Sequence, residues 1–251
     1  MLKYLKTIKE LKSNFKLVDA VVAAVSFYAE KEKIFFPKLG RNLFLRRNTK
    51  DFETFEEVFI KSIYNINLPI KPTNIVDAGA NVGLSTLFFK LKYPNATVDA
   101  VEIESQNCEM IKKNTAGLSG VQIHQKGLFS KKTFFTIIDP YNATNSFQIQ
   151  EVADQKDATI ESITLENLFE QHNWTTLDLL KIDIEGAEKS LFSSNYQKWL
   201  PKTKIIYVET HDRMIKDCAY TVFQAIKNYN FILYTTTEGT LIFYNKDFIT
   251  F

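Results

Sequence analysis

The residues best suited to chemistry fall in two short runs in the second half of the chain. LLKIDIEGAEKSLF, residues 179–192, carries an apolar run that ends on Asp183 and Glu185. VETH, residues 208–211, ends another on Glu209, with His211 two positions further. Side chains at the carboxyl end of a buried parallel strand stand on the edge where open α/β sheets bind ligands. If the two strands pair, Asp183, Glu185, Glu209 and His211 converge on one cleft. An imidazole titrates near neutrality and suits the removal of a proton from a hydroxyl. His211 is therefore the first choice for a general base, and Asp183, whose strand-end position is the surer of the two, is its competitor. A second reading has Asp183, Glu185 and Glu209 holding a Mg²⁺ that orients a diol, since hard oxygen ligands suit that ion; the spacing by itself assigns no metal. Glu188 opens the next helix, where it would complement the helix dipole.

A third constellation precedes these. NIVDAGANVGLST, residues 74–86, reads as a strand ending on Asp77, a tight turn through Gly79, Ala80, Asn81 and Gly83, and a helix from Leu84. Such a turn is expected to place free backbone N–H groups at a helix N-terminus, where a nucleotide-like ligand can be cradled. Asn81 stands where a dinucleotide fingerprint would have its second glycine, and no Gly-Lys-Ser/Thr of a P-loop follows. The pattern favours a pocket for S-adenosylmethionine (SAM). Glu102 ends the next strand, 19 residues after Gly83, at the distance where a carboxylate accepts hydrogen bonds from ribose hydroxyls. Asp77, Gly79, Ala80, Asn81, Gly83, Ser85, Glu102 and Asp183 form the expected cofactor set.

These residues need a scaffold, and the chain is long enough to supply one. Its 251 residues can bury a sizeable core, and 31 basic against 29 acidic residues give a net charge of +2. That balance offers no electrostatic argument for a nucleic-acid or membrane partner. Two cysteines, Cys108 and Cys218, make no disulfide framework, and no apolar run is long enough to span a membrane, so a cytoplasmic location is expected.

From residue 74 onward apolar strands alternate with helical patterns: 75–77, 96–101, 121–124, 177–182 and 204–208 as strands, with helices from Leu84, Ser105, Gly186 and Ala219 between and after them. Extended pieces fall at 134–138, 147–149 and 159–163, and Thr164 caps a short helix. Two strands flanking Glu238-Gly239 close the chain as a hairpin. The whole predicts an α/β fold with a mostly parallel seven-stranded sheet, helices on both faces and a C-terminal antiparallel hairpin. Upstream lie two helices over residues 1–31, a hairpin over 33–47, and a helix capped by Thr49 or Asp51 with Phe52, Phe55, Val58 and Phe59 on one face. Residues 1–69 are thus an extension, and 70–251 the ligand-binding domain. The N-terminal helix packs on the domain, covers the substrate as a lid, or forms a homodimer contact.

DAGANVGLST, Glu102, LLKIDIEGAEKSLF and VETH together resemble the FkbM-type family of SAM-dependent methyltransferases, as does the lead-in FLRRNTKDFETFEEVF at residues 44–59. The resemblance covers about residues 40–245 and implies a Rossmann-like class I fold, SAM as cofactor, and O-methylation of hydroxyls on sugars, polyketides or related metabolites. It also implies that Arg46, Thr49 and Asp51 shape the acceptor side. Where many members have a proline, this chain has Glu104. The acceptor is then a hydroxyl of a small molecule or a glycan sugar, and Asp183, Glu185, Glu209 and His211 form the catalytic set. Two rivals stand beside this reading: an NAD-dependent oxidoreductase, opposed by Asn81 and the terminal hairpin, and a non-catalytic SAM-fold module that binds a partner through residues 1–65, opposed by the acidic set.

Overall fold

The computed structural model describes residues 32–36, 39–138, 148–152 and 160–250. The helices expected over residues 1–31 lie outside them. An antiparallel hairpin opens the described chain, β1 (Lys33–Phe36) with β2 (Arg41–Phe44). A short helix α1 (Asp51–Phe55) then runs directly into a π-helical turn over Glu56–Ile60. There follow β3 (Asn74–Ala78), α2 (Leu84–Lys92), β4 (Thr97–Glu102), α3 (Ser105–Asn114) and β5 (Val121–Gln125). Next come β6 (Gly127–Leu128), β7 (Phe134–Ile138), β8 (Gln148–Val152), β9 (Ile160–Ile163) and α4 (Leu165–His172). The last elements are β10 (Leu177–Ile182), α5 (Glu188–Ser193), β11 (Thr203–Glu209), α6 (Cys218–Ile226), β12 (Phe231–Thr237) and β13 (Thr240–Asn245).

The main sheet has seven strands in the order β12-β13-β11-β10-β3-β4-β5. Neighbours from β11 to β5 pair in parallel, and β13 and β12 join as the antiparallel hairpin. This is the Rossmann-like architecture read from the sequence. It follows from the strands themselves: β10, LDLLKI, is buried at every position, as a strand covered on both faces must be. Alternation then sorts the side chains. Ile75, Leu179, Ile205 and Tyr207 face a core shared with α2 and with Leu43, Phe55, Phe59 and Tyr64 of the lead-in. Val76, Leu180, Ile182 and Val208 face a second core filled by Leu168, Leu191, Trp199 and Val222. The extended pieces between β5 and α4 build a separate four-stranded sheet, β6-β9-β7-β8, whose pairing their local spacing does not reveal.

Several helix starts differ from expectation. Glu104, not Ser105, caps α3, its carboxylate accepting from the N–H of Asn107; a carboxylate at this position also complements the helix dipole. No side chain of its N-cap residue caps α1; the Thr49 hydroxyl accepts from the N–H of Asp51, and the Asp51 carboxylate is turned instead to Arg46. The helix expected from Gly186 begins at Glu188. Thr164 does cap α4, in a reciprocal box with Asn167.

Gly83 caps α2 with φ +80°, and a Cβ there would lie 2.9 Å from the Cα of Ile111 on α3. Gly117 has a similar φ, +78°, but open space around it. Gly117→Ala should therefore cost only the left-handed strain of about 1–2 kcal/mol. Gly83→Ala should add an overpacking cost of about 1–3 kcal/mol, because the obstacle is backbone. Urea unfolding of the two variants measures the difference.

Candidate active site

All five parallel strands point their carboxyl ends at one edge of the sheet. A cavity of about 350 Å³ opens there. The turn after β3 forms one wall. Gly79, at φ +73°, sits so close to the end of β10 that a Cβ would fall 1.7 Å from the carbonyl oxygen of Asp183. Only glycine permits that approach. Four amides of the turn are used within the fold: Gly79 and Ala80 donate to Val101 O, Asn81 to Glu102 Oε2, and Gly83 to Ala80 O. The turn also offers a ligand the Asn81 side chain, whose Oδ1 is buried without a hydrogen-bond partner on a residue that lines the cavity.

Lys181 lies under this turn. Its side chain is 3% exposed in the middle of the sheet, and its Nζ donates to Gly79 O at 2.7 Å and Ala78 O at 3.2 Å. Asp77 Oδ1 lies 3.4 Å away and Asp183 Oδ2 3.6 Å. Burial opposes the charge, but the neighbouring carboxylates of Asp77 and Asp183 outweigh it and hold the ammonium protonated. Asp77 itself is fully buried; its Oδ2 accepts from Ser85 and Thr86 at 2.7 and 2.6 Å, so it braces the start of α2 from beneath.

Glu102 ends β4 with both oxygens engaged, Oε1 by the N–H of Glu104 and the amide of Asn107, Oε2 by the N–H of Asn81. Burial raises its pKa, and these hydrogen bonds pull the other way. Oε2, with a single donor, keeps a lone pair for a further donor in the cavity that Glu102 lines.

His211, 2% exposed, marks the opposite chemistry. Its Nδ1 is 3.0 Å from Glu188 Oε1. Its Nε2 faces Asp183 and Glu185 at 3.6 Å each and Glu209 at 3.9 Å. Pairing of β10 with β11 thus brings the four expected residues together. Glu188 does more than answer a helix dipole. It is fully buried and accepts from the N–H groups of Ile184 and Gly186, which fixes the 184–186 turn in which Glu185 adopts φ +54°. With Nδ1 donating to Glu188, the neutral imidazole presents Nε2 as an acceptor to the cavity. Burial disfavours the imidazolium, but the Glu188 hydrogen bond and the charges of Glu188, Asp183 and Glu185 raise the His211 pKa to about 9. Burial, then the charge of Asp183, raises Glu185 to about 7. Asp183, Glu185 and His211 can each offer one atom within 4.8 Å of the others, the grouping of a divalent-cation ligand set.

Asp183, Glu185, Glu209, His211, Gly79, Ala80, Asn81, Ser85 and Glu102 all line the cavity. Asp77 and Gly83 do not; they support the turn. Arg46, Thr49 and Asp51 do not line it either, and the lead-in contributes Lys50, Glu53, Thr54 and Glu57 in their place. Sequence reasoning also misses Lys181, Asn107 and Tyr64. Lys181 has a signal, a lysine inside an apolar strand, since a buried lysine is nearly always paired.

Residues 77–233 match the methyltransferase FkbM domain, well over half of the chain. The chain is 30% identical over 191 residues to "Methyltransferase sdnD" of Sordaria araneosa, covering 62% of this chain and 73% of that one. It is 28% identical over 158 residues to "Methyltransferase 1" of Beauveria bassiana (strain ARSEF 2860), covering 53% and 62%. Among solved structures, the methyltransferase FkbM of Methylobacillus flagellatus KT aligns with a TM-score of 0.45 at 15% identity, over 73% of this chain and 47% of that one, so the chain spans about half of that structure. With its seven-stranded sheet, glycine turn and strand-end acidic cluster, this chain belongs to the FkbM family of methyltransferases.

Proposed function

We propose that the protein transfers a methyl group from SAM to a hydroxyl of a small molecule or a glycan sugar. The observation that supports this most is His211: anchored through Nδ1 by buried Glu188, it turns Nε2 into the same cavity that Glu102 and the Gly79 turn line. The residues present fit the cofactor. Glu102 can accept from ribose hydroxyls, the orphaned Asn81 Oδ1 needs a donor, and the half-buried Asp183 carboxylate complements a cationic group. When bound, SAM supplies a methyl on a sulfonium, a good neutral leaving group.

The chain's own work is then alignment and proton removal. Alignment of acceptor and donor can lower the barrier by up to about 7–11 kcal/mol. As the acceptor oxygen gains the methyl, its proton passes to His211 Nε2. The imidazolium formed stays beside Asp183, Glu185 and Glu209, so its charge is balanced where it appears. Lys50, Glu53, Glu57 and Arg213 add both donors and acceptors to the cavity lining, which suits a hydroxyl-rich acceptor. A second reading rests on the 4.8 Å grouping: a Mg²⁺ held by Asp183 and Glu185, with His211 or Glu209, orients a diol. A metal ligand must be a neutral imidazole, so the ion would compete with the proton on His211. Activity abolished by a chelator and restored by Mg²⁺ would favour this second reading over the first.

Calorimetric titration should show SAM binding to the wild type and at least tenfold weaker binding, about 1.4 kcal/mol, to Glu102→Ala. No binding by the folded wild type would sink the reading.

The base assignment makes a prediction about pH. His211 is protonated below about 9 and inactive as a base in that form. With a hydroxyl-bearing sugar acceptor, kcat/KM should rise with pH and level off only above about 9. Glu185→Gln removes a carboxylate that favours the imidazolium, so its profile should move to lower pH. His211→Ala should lose about 10²–10⁴ in kcat, more than Asp183→Asn, and lose the pH dependence. Near-normal turnover by His211→Ala would dismiss it as base.

A further inference from the structure

The lead-in is stitched to α3 along a seam of polar contacts. Arg41 donates to Ala116 O at 2.6 Å. Phe44 exchanges hydrogen bonds with the fully buried Asn114, whose amide reaches on to Val82 O in the glycine turn at 2.8 Å. Arg46 makes the third stitch. Its Nε and Nη2 grip the two oxygens of Asp51, each at 3.0 Å, and Nη2 donates to Asn107 Oδ1 at 2.8 Å. Asp51, 2% exposed, also accepts from the Arg46 backbone N–H. Asn107, 1% exposed, then donates from Nδ2 to Glu102 Oε1 at 3.3 Å.

These bonds form one connected line in which Arg46 donates both ways, to Asp51 behind it and to Asn107 ahead, and Asn107 donates on to Glu102. An amide can serve only one orientation at a time. With Oδ1 held by the guanidinium, Nδ2 must face Glu102. If Arg46 were absent, the amide would be free to turn, and its Oδ1 could face the carboxylate instead. The Arg46 fork is itself fixed, because a planar guanidinium bound to both oxygens of Asp51 has little freedom left.

We infer that Arg46 is a positioning residue for the cofactor: through Asn107 it sets the carboxylate of Glu102 against the ribose. The lead-in, 61 residues upstream of Asn107 along this line, thereby belongs to the cofactor site and not only to the acceptor side. This rests on the ribose reading of Glu102 given above.

The test uses S-adenosylhomocysteine and its analogue lacking both ribose hydroxyls, titrated into the wild type, Arg46→Gln, Arg46→Lys and Asn107→Ala. Lysine keeps the charge but loses the fork, so it should not rescue. Each variant should bind S-adenosylhomocysteine at least about fivefold more weakly, in the range of couplings within one hydrogen-bonded network. The analogue without hydroxyls should bind wild type and variants alike. Asn107→Ala leaves the Arg46–Asp51 pair intact, so it decides the matter if an Arg46 variant does not fold. Equal weakening of both ligands, or none, overturns the positioning role while leaving the cofactor reading in place. Failure of the wild type to bind S-adenosylhomocysteine overturns both.

Discussion

One buried ammonium holds the site together. Lys181 sits where β3 and β10 deliver their ends, and its three protons face the carbonyls of Ala78 and Gly79 and the carboxylates of Asp77 and Asp183. A lone charge at 3% exposure would be untenable, and two carboxylates on adjacent strands would repel each other. Together they compensate. The turn that shapes one wall of the cavity and the strand end that carries the acidic set are therefore a single electrostatic unit. Gly79 completes it sterically, because its missing side chain lets the turn meet the Asp183 carbonyl.

The same logic, with more acid than base, governs the neighbouring cluster. Four carboxylates surround His211, and only Glu188 lies within direct hydrogen-bond distance. The other three stand further back. This leaves the imidazole bound firmly at one nitrogen and loosely at the other. The left-handed Glu185 shows that the fold gives up conformational free energy to keep this arrangement.

What the sequence makes legible, and what it hides, divides along physical lines. The strand ends are legible, because in an alternating α/β chain a continuous apolar run followed by Asp183 or Glu209 marks a buried strand reaching the ligand edge. Glu102 is legible from its distance to the glycine turn. Glu188 is not: a glutamate in a helix's first turn looks like a dipole partner, and only the return of β11 brings His211 onto it. Nor does local spacing show that Val101 and Glu102 claim the amides of Gly79, Ala80 and Asn81 across a strand pair. Arg46 and Asp51 carry a visible pattern, but their partner Asn107 lies on a helix that local spacing cannot connect to them.

The order of the strands has a bearing on how the protein is made. β13 follows every other described strand in the chain, yet it lies between β11 and β12 and buries Tyr244 in one core and Phe243 in the other. The hairpin also ties back to the lead-in, through Thr237 to Ile63 O and Glu238 to Lys61. During synthesis on the ribosome, the edge of β11 stays open until residues 240–245 emerge. Both cores and the mouth of the cavity are closed by the same late event. A nascent chain must therefore keep an apolar parallel sheet shielded until that strand is out, and a finished pocket signals that translation has passed it.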